Sequence, residues 1–330
     1  MMENGNVWTF DKIAECAGAI RENMGRVIIG KQDVIKLVIA GLFAGGHILL
    51  EDTPGTGKTM LAKSLARSID AEFGRIQFTP DLLPLDLTGQ NVYHQKEEQF
   101  VFVPGPVFCN VLLADEINRA TPRTQSSLLE CMEEKQVTVD GETRVLERPF
   151  FLIATQNPIE TAGTYPLPEA QLDRFLFKLL IEFPSLEELK QIMHLTVEGQ
   201  QEQIQPVLTA GDLMEMRQVV RDIPVSAAVE EYALALVIGT HPDSEYAVKE
   251  VKQYVLEGAS PRAAQAILLT AKARALLDGR YNVSFDDIDD VAKAALRHRL
   301  ALNFDALSEN IVADTIIAAL QEALNGRKTV

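Results

Sequence analysis

The sequence predicts an α/β fold: a doubly wound parallel sheet domain over residues 1–184, followed by a smaller all-α helical domain over residues 185–330. Three observations predict it. Apolar runs of strand length alternate with helix-patterned segments through the first half. Pro184 then breaks the chain, and Ser185-Leu186-Glu187-Glu188 has the form of a capping box, in which Ser185 accepts a helix N–H and Glu188 reaches back. Beyond it the apolar stripes have helical spacing throughout. A chain of 330 residues is long for one core and comfortable for two.

The elements follow in order. Residues 11 to 44 carry apolar positions three and four apart: Ile13, Ala17 and Ile20, then Val34, Leu37, Val38 and Leu42. Val27-Ile28-Ile29-Gly30-Lys31 interrupts that period. Ile48-Leu49-Leu50 reads as a strand, residues 60 to 69 as a helix with Leu61 and Leu65 inward, and residues 75 to 79 as an alternating strand. Residues 111 to 114, 150 to 154 and 176 to 181 are continuous apolar runs, suited to central strands covered on both faces.

Two hairpins interrupt this rhythm. One spans residues 91 to 103 around the tip His94 to Glu98; the other spans 136 to 146 around Asp140-Gly141, a strong tight-turn pair. Neither is needed to close a site at the sheet, so each is a contact arm or a decorative insertion. After the break, helices are expected at 227 to 238, 263 to 277, 286 to 300 and 311 to 324.

Composition narrows the class. No apolar run approaches the roughly 18 residues of a spanning helix, and the N-terminus lacks a basic then apolar leader, so a soluble, cytoplasmic protein is expected. Three scattered cysteines without C-x-x-C spacing suit reduced core thiols. A net charge of −16, with no concentration of basic residues, repels a phosphate backbone, so no nucleic acid is expected as partner. The same acidity favours solubility or a basic partner surface.

The chemistry begins after the first strand. Ile48 to Asp52 delivers the chain into Thr53-Pro54-Gly55-Thr56-Gly57-Lys58-Thr59-Met60. Backbone N–H groups of such a loop wrap a phosphate, Lys58 reaches the β- and γ-phosphates, and the Thr59 hydroxyl ligates Mg²⁺. Asp52 stands where the full pattern wants glycine. About fifty residues on, Val111-Leu112-Leu113-Ala114-Asp115-Glu116 places two carboxylates beyond a buried strand. Asp115 is the metal candidate and Glu116 the general base that polarises a water. Together the two motifs specify ATP hydrolysis.

Four further positions complete the candidate site. Asn157, ending the strand at 150 to 154, is either a γ-phosphate or water contact or an Asn-Pro turn; adjacency to the Asp115 strand would decide. Ile29 and Gly30 are a purine-side candidate or a simple turn. Arg174, in Leu172-Asp173-Arg174-Phe175, sits near the domain rim, where an arginine can reach a neighbouring subunit's γ-phosphate. Arg262 follows the N-cap Ser260 and Pro261, placing it in a first helical turn, able to touch nucleotide from the second domain.

Taken in order these residues resemble the AAA+ ATPases, and within them the MoxR family. The likeness rests on Asp115-Glu116-Ile117-Asn118-Arg119-Ala120, on Gly163 through Phe175, and on Ala259-Ser260-Pro261-Arg262-Ala263. It extends from Gly30 to Arg297-His298-Arg299. The resemblance implies Lys58 and Thr59 as Walker A, Asp115 and Glu116 as Walker B, Asn157 as sensor 1, Arg174 as arginine finger and Arg262 as sensor 2. It implies the first hairpin as a helix-2 insert and the second as a pre-sensor hairpin. It implies, too, a homo-oligomeric ring, expected to be a hexamer, using ATP and Mg²⁺ to remodel or activate client proteins, often ones with a von Willebrand factor A domain. The rival reading is a nucleic-acid-directed motor or loader, which needs basic hairpin tips; His94-Gln95-Lys96-Glu97-Glu98 and Asp140-Gly141-Glu142 are mixed or acidic.

Overall fold

The computed structural model describes residues 8–52, 55–96, 98–157, 163–197 and 204–325. Thr9 caps the first helix by accepting the Lys12 amide, and α1 (Phe10–Val27) buries Ile13, Ala17, Ile20 and Met24 on one stripe. Ile28 turns extended, Gly30 takes a positive φ, and α2 (Gln32–Ala44) follows. Strand and helix then alternate through β1 (Ile48–Asp52), α3 (Lys58–Ser68), β2 (Phe73–Gln77) and the short α4 (Pro84–Thr88). β2 begins two residues before the expected 75.

The first hairpin is β3 (Gly89–His94) with β4 (Gln99–Pro104). β5 (Val111–Asp115) and α5 (Pro122–Glu134) lead to the second, β6 (Gln136–Val139) with β7 (Glu142–Val145), whose turn residues Asp140 and Gly141 both have positive φ. The hairpins touch: Asn91 Nδ2 donates to Asp140 Oδ2 at 2.7 Å, and the Arg144 guanidinium lies 3.9 Å over the Phe102 ring. β8 (Phe151–Gln156), α6 (Glu169–Leu172) and β9 (Phe177–Ile181) complete the first half.

Five strands make one parallel sheet ordered β2-β5-β8-β1-β9. Leu113 lies opposite Ile153 and Ile153 opposite Ile48, so β8 runs between β5 and β1. Because all five are parallel, their carboxyl ends share one edge and their amino ends the other, roughly 17 Å apart for a five-residue strand. Ligands of such sheets lie beyond the carboxyl ends.

Ser185 and Glu188 exchange the expected capping-box bonds, at 2.7 and 3.3 Å, and open α7 (Leu186–Val197). Then come α8 (Ala210–Arg221), α9 (Ala227–Ile238), α10 (Lys249–Tyr254), α11 (Pro261–Leu277), α12 (Phe285–Leu296), α13 (Phe304–Ser308) and α14 (Ala313–Asn325). The second half is not helical throughout: β10 (Val255–Glu257) pairs antiparallel with β11 (Ala301–Leu302). Such short strands show no period in sequence; one end of their pairing is held by Asn303, which donates to Gln253 O and Tyr254 O.

One buried cluster runs through α1, α2, one face of the sheet and the later helices, joining Ile20, Leu42 and Ile48 to Leu213, Ile267, Val291 and Leu320. A second cluster, with Leu49, Leu112, Leu129 and Phe175, covers the opposite face. The free thiols of Cys109 and Cys131 are core, pushed up to about 12 by burial. Among the described residues no helix is long and apolar enough to cross a membrane.

Candidate active site

The carboxyl edge gathers most of the chemistry. β1 runs toward Gly55 and Gly57, at φ of 87° and 92°, and Gly57 caps α3 with no side-chain acceptor. A Cβ at either glycine would meet no heavy atom within 4 Å, so these positions require left-handed backbone beside open space. The first turn of α3 thus offers backbone N–H groups and a positive dipole end to an anion. Lys58 and Thr59, both half-buried, begin that turn, Met60 is exposed, and Thr56 is half-buried in the loop. Pro54 lies outside the described residues.

β8 alone separates β1 from β5, so the acidic pair ends a strand about 10 Å across the sheet from the loop. Asp115 is 5% exposed and accepts from Arg75 Nε at 2.8 Å and from Thr155 Oγ1 at 3.4 Å. Glu116 takes a left-handed backbone, φ 58°, and its N–H donates to Thr155 Oγ1 at 2.9 Å. Its Oε2 accepts from Gln77 Nε2 at 2.7 Å and lies 3.0 Å from Arg119 Nε. Freeing that oxygen for a water therefore means releasing Gln77 and Arg119. Asn157, 5% exposed, follows β8, the strand that adjoins β5; that is the adjacency on which its phosphate-sensing reading turned.

A hard-oxygen donor pair, the Thr59 hydroxyl and the Asp115 carboxylate, fits Mg²⁺, which keeps waters and substrate oxygens for its other positions. Among the described residues no group of three or more His, Cys, Asp or Glu could cage a metal by itself. Ile29 and Gly30 lie beside the start of α7, just past the carboxyl end of β9. A Cβ at Gly30 would stand 1.6 Å from Glu188 Oε1, and Lys31 Nζ lies 3.8 Å from Glu188 Oε2.

The two arginines come together, but elsewhere. Arg174 Nη1 lies 2.7 Å from Glu133 Oε2, and Arg262 Nη2 lies 2.8 Å from Glu133 Oε1. Glu133 lies in the last turn of α5 next to Met132, whose carbonyl accepts from His47 Nε2 at 3.1 Å, and His47 immediately precedes β1. This is the amino edge. Arg262, expected to touch nucleotide from the second domain, therefore stands at the edge opposite the one where Lys58 begins α3.

Side-chain bonds whose partners the sequence did not foretell hold that edge. Ser260 accepts the Arg262 amide at 3.2 Å while its hydroxyl donates to Asp173, 2.8 and 2.9 Å from the two oxygens. Arg299 donates to Asp173 Oδ1 at 2.8 Å and to Phe175 O at 2.7 Å, pinning the segment that carries Arg174. His47 is enclosed, its Nδ1 accepting from the Leu152 N–H at 2.9 Å, and burial lowers its pKa to about 3 with Lys135 and Arg217 adding to the effect. At the carboxyl edge, Arg75, Gln77 and Thr155 were equally unmarked; the cluster Arg297-His298-Arg299 was the one local signal, three basic residues in an acidic chain.

A five-stranded parallel sheet with a Gly-Lys-Thr loop after its β1 strand and Asp-Glu after β5 defines a P-loop nucleotide-binding ATPase. Residues 47–177 match the ATPase family associated with various cellular activities (AAA), and residues 249–320 match the AAA lid domain. The chain is 42% identical to the chaperone MoxR1 of Mycobacterium tuberculosis over 292 residues, 88% of this chain and 77% of that one. It is 45% identical to YeaC of Bacillus subtilis over 310 residues, 93% of each. A crystal structure from Cytophaga hutchinsonii superposes with a TM-score of 0.88 at 40% identity, covering 95% of this chain and 96% of that one. The chain belongs to the MoxR family of AAA ATPases and is by that membership an ATP hydrolase.

Proposed function

We propose that this chain hydrolyses ATP at sites shared between subunits of a homo-oligomeric ring, with a hexamer as the expected size. The observation that carries the reading is the separation of Lys58, Asp115, Glu116 and Asn157 at one edge of the sheet from Arg174 and Arg262 at the other. In such a ring the amino edge of one subunit faces the carboxyl edge of the next. Gly55, Thr56, Gly57, Lys58 and Thr59, with Pro54 before them and Met60 after, hold the phosphates; Ile29 and Gly30 border the purine. Thr59 and Asp115 would hold Mg²⁺, which when bound neutralises charge on the phosphate oxygens.

Glu116, once released from Gln77 and Arg119, accepts a proton from the attacking water. Asn157 orients that water or the γ-phosphate without adding charge. Arg174 of the neighbouring subunit, exchanging Glu133 for the γ-phosphate, offsets charge as the bond breaks, and Arg262 reaches the same nucleotide in trans. The output is chaperone-like remodelling or activation of protein clients, supported by similarity to the MoxR1 chaperone; clients with a von Willebrand factor A domain are the class the family resemblance favours. The fold division this uses is a sheet domain to residue 184 and a helical lid from 185.

Mixing two inactive variants tests it. Lys58→Ala cannot hold nucleotide but keeps Arg174, while Arg174→Ala keeps the loop. Mixed rings should recover a clear fraction of ATP turnover that neither variant shows alone. Turnover that stays at the level of the inactive variants in rings shown to be mixed counts against a site shared between subunits.

A further inference from the structure

With 47 acidic side chains against 31 lysines and arginines, a cluster of cations with no acid beside it runs against the overall balance of the chain, in which acids outnumber bases. One cleft departs from that. Lys135, Arg148, Arg217 and Arg221 line a space of about 200 Å³ beside Gly45 and Gln218, and no acid is among its lining residues. Among the described residues none of the four has a carboxylate partner.

The cations come from unrelated parts of the chain. Lys135 caps the end of α5 with a left-handed backbone, Arg148 precedes β8, and Arg217 and Arg221 are four apart on α8. Like charges at that helical spacing repel. Arg217 is anchored by donating Nε to Leu42 O at 2.9 Å and Nη1 to Met214 Sδ at 3.6 Å, while its buried Nη2 has no acceptor. An unpaired buried guanidinium N–H is costly. Burial and then Arg221 bring the Arg217 pKa down to about 10; burial, then Arg217, Arg148 and Arg221 lower that of Lys135. The cluster is therefore unfavourable as it stands, and an anion converts each repulsion into an attraction.

We propose that this cleft binds a phosphoryl polyanion through Lys135, Arg148, Arg217 and Arg221, at a site separate from the phosphate loop. Planar guanidinium groups from α8 and from the segment before β8, with the lysine that ends α5, suit the several oxygens of a phosphoryl group better than a single carboxylate. The cleft opens on the amino edge, since Gly45 and Phe150 stand at the starts of β1 and β8. Its occupant is a free phosphorylated anion or the phosphates of nucleotide on a neighbouring subunit.

Pyrophosphate titrated calorimetrically into full-length Lys58→Ala protein at low salt tests the site without the phosphate loop. Saturable binding of one anion per subunit is expected, weakened at least tenfold by Arg148→Gln or Arg221→Gln, both exposed positions, added to Lys58→Ala. No saturable binding, or equal affinity in all these proteins, overturns the proposal. Arg221→Gln in the otherwise unaltered protein separates the sources: a raised KM for ATP identifies the neighbour's nucleotide, an unchanged KM a free anion, and both require the site to exist.

Discussion

The two edges of the sheet carry different kinds of charged group. At the carboxyl edge, a loop shaped by Gly55 and Gly57 and the acids Asp115 and Glu116 sit at strand ends, positioned by Thr155, Arg75 and Gln77. At the amino edge, Arg174 and Arg262 share a single carboxylate, Glu133, and are held by Asp173, Ser260 and Arg299. The first edge offers helix N–H groups to an anion, while the second presents two guanidinium groups that meet on one carboxylate. The difference teaches that one subunit keeps its phosphate loop and its rim arginines on opposite edges of the sheet, which is the separation the proposed shared site rests on.

That contrast breaks most sharply at Arg174. Arg174→Ala should lower kcat by about 10³ to 10⁵ while nucleotide binding to the isolated subunit is unchanged, as read by turnover and equilibrium titration. Loss of binding in the monomer would mean that the edges are not separate. Glu116→Gln should cost about 10² to 10⁴ in kcat and leave ATP binding intact; wild-type turnover would remove Glu116 as base.

Acid should act through His47, which ties β1, β8 and α5 at the amino edge. Its folded pKa of about 3 lies below the usual 6.5, so the unfolded chain takes up a proton first. Stability should then fall as pH drops from about 6.5 toward 3, by up to about 1.4 kcal/mol per pH unit. His298, also buried and lowered, acts in the same direction. Urea midpoints that do not move between pH 7.5 and 5.5 would dismiss this. Ser260→Ala, removing the cap of α11 and a bond to Asp173, should cost about 1 kcal/mol in denaturant unfolding, and more in kcat if Arg262 shifts. Asn91→Ala, at the contact between hairpins, should fall within about 0.5 kcal/mol, leaving any larger loss to client-dependent activity.

Local pattern carried much of the architecture. The break at residues 27 to 31, the buried runs of β5, β8 and β9, the Ser185 capping box and the N-cap at Ser260 all depend on neighbours in sequence, and all are legible there. α5 and α8 went unread, although Pro122 and the Thr209 capping box mark their starts. The site's supporting bonds were illegible for a different reason. Gln77 meets Glu116, and Thr155 meets Asp115, because β2, β5 and β8 lie side by side, and strand order is not written in any one segment. The same non-locality hid which edge Arg262 would join: the first turn of α11 could be read, but not the surface it rests on.

The core that unites α1 and α2 with the later helices bears on how force could leave this molecule. α11 packs on both α1 and α2, and Arg297 ties β9 to Asp314 through bonds of 3.1, 2.8 and 2.7 Å. The helices after residue 185 are therefore no loose flap. In the proposed ring, a tilt of these helices would be carried through α11 to α2, the element that leads into β1 and the phosphate loop.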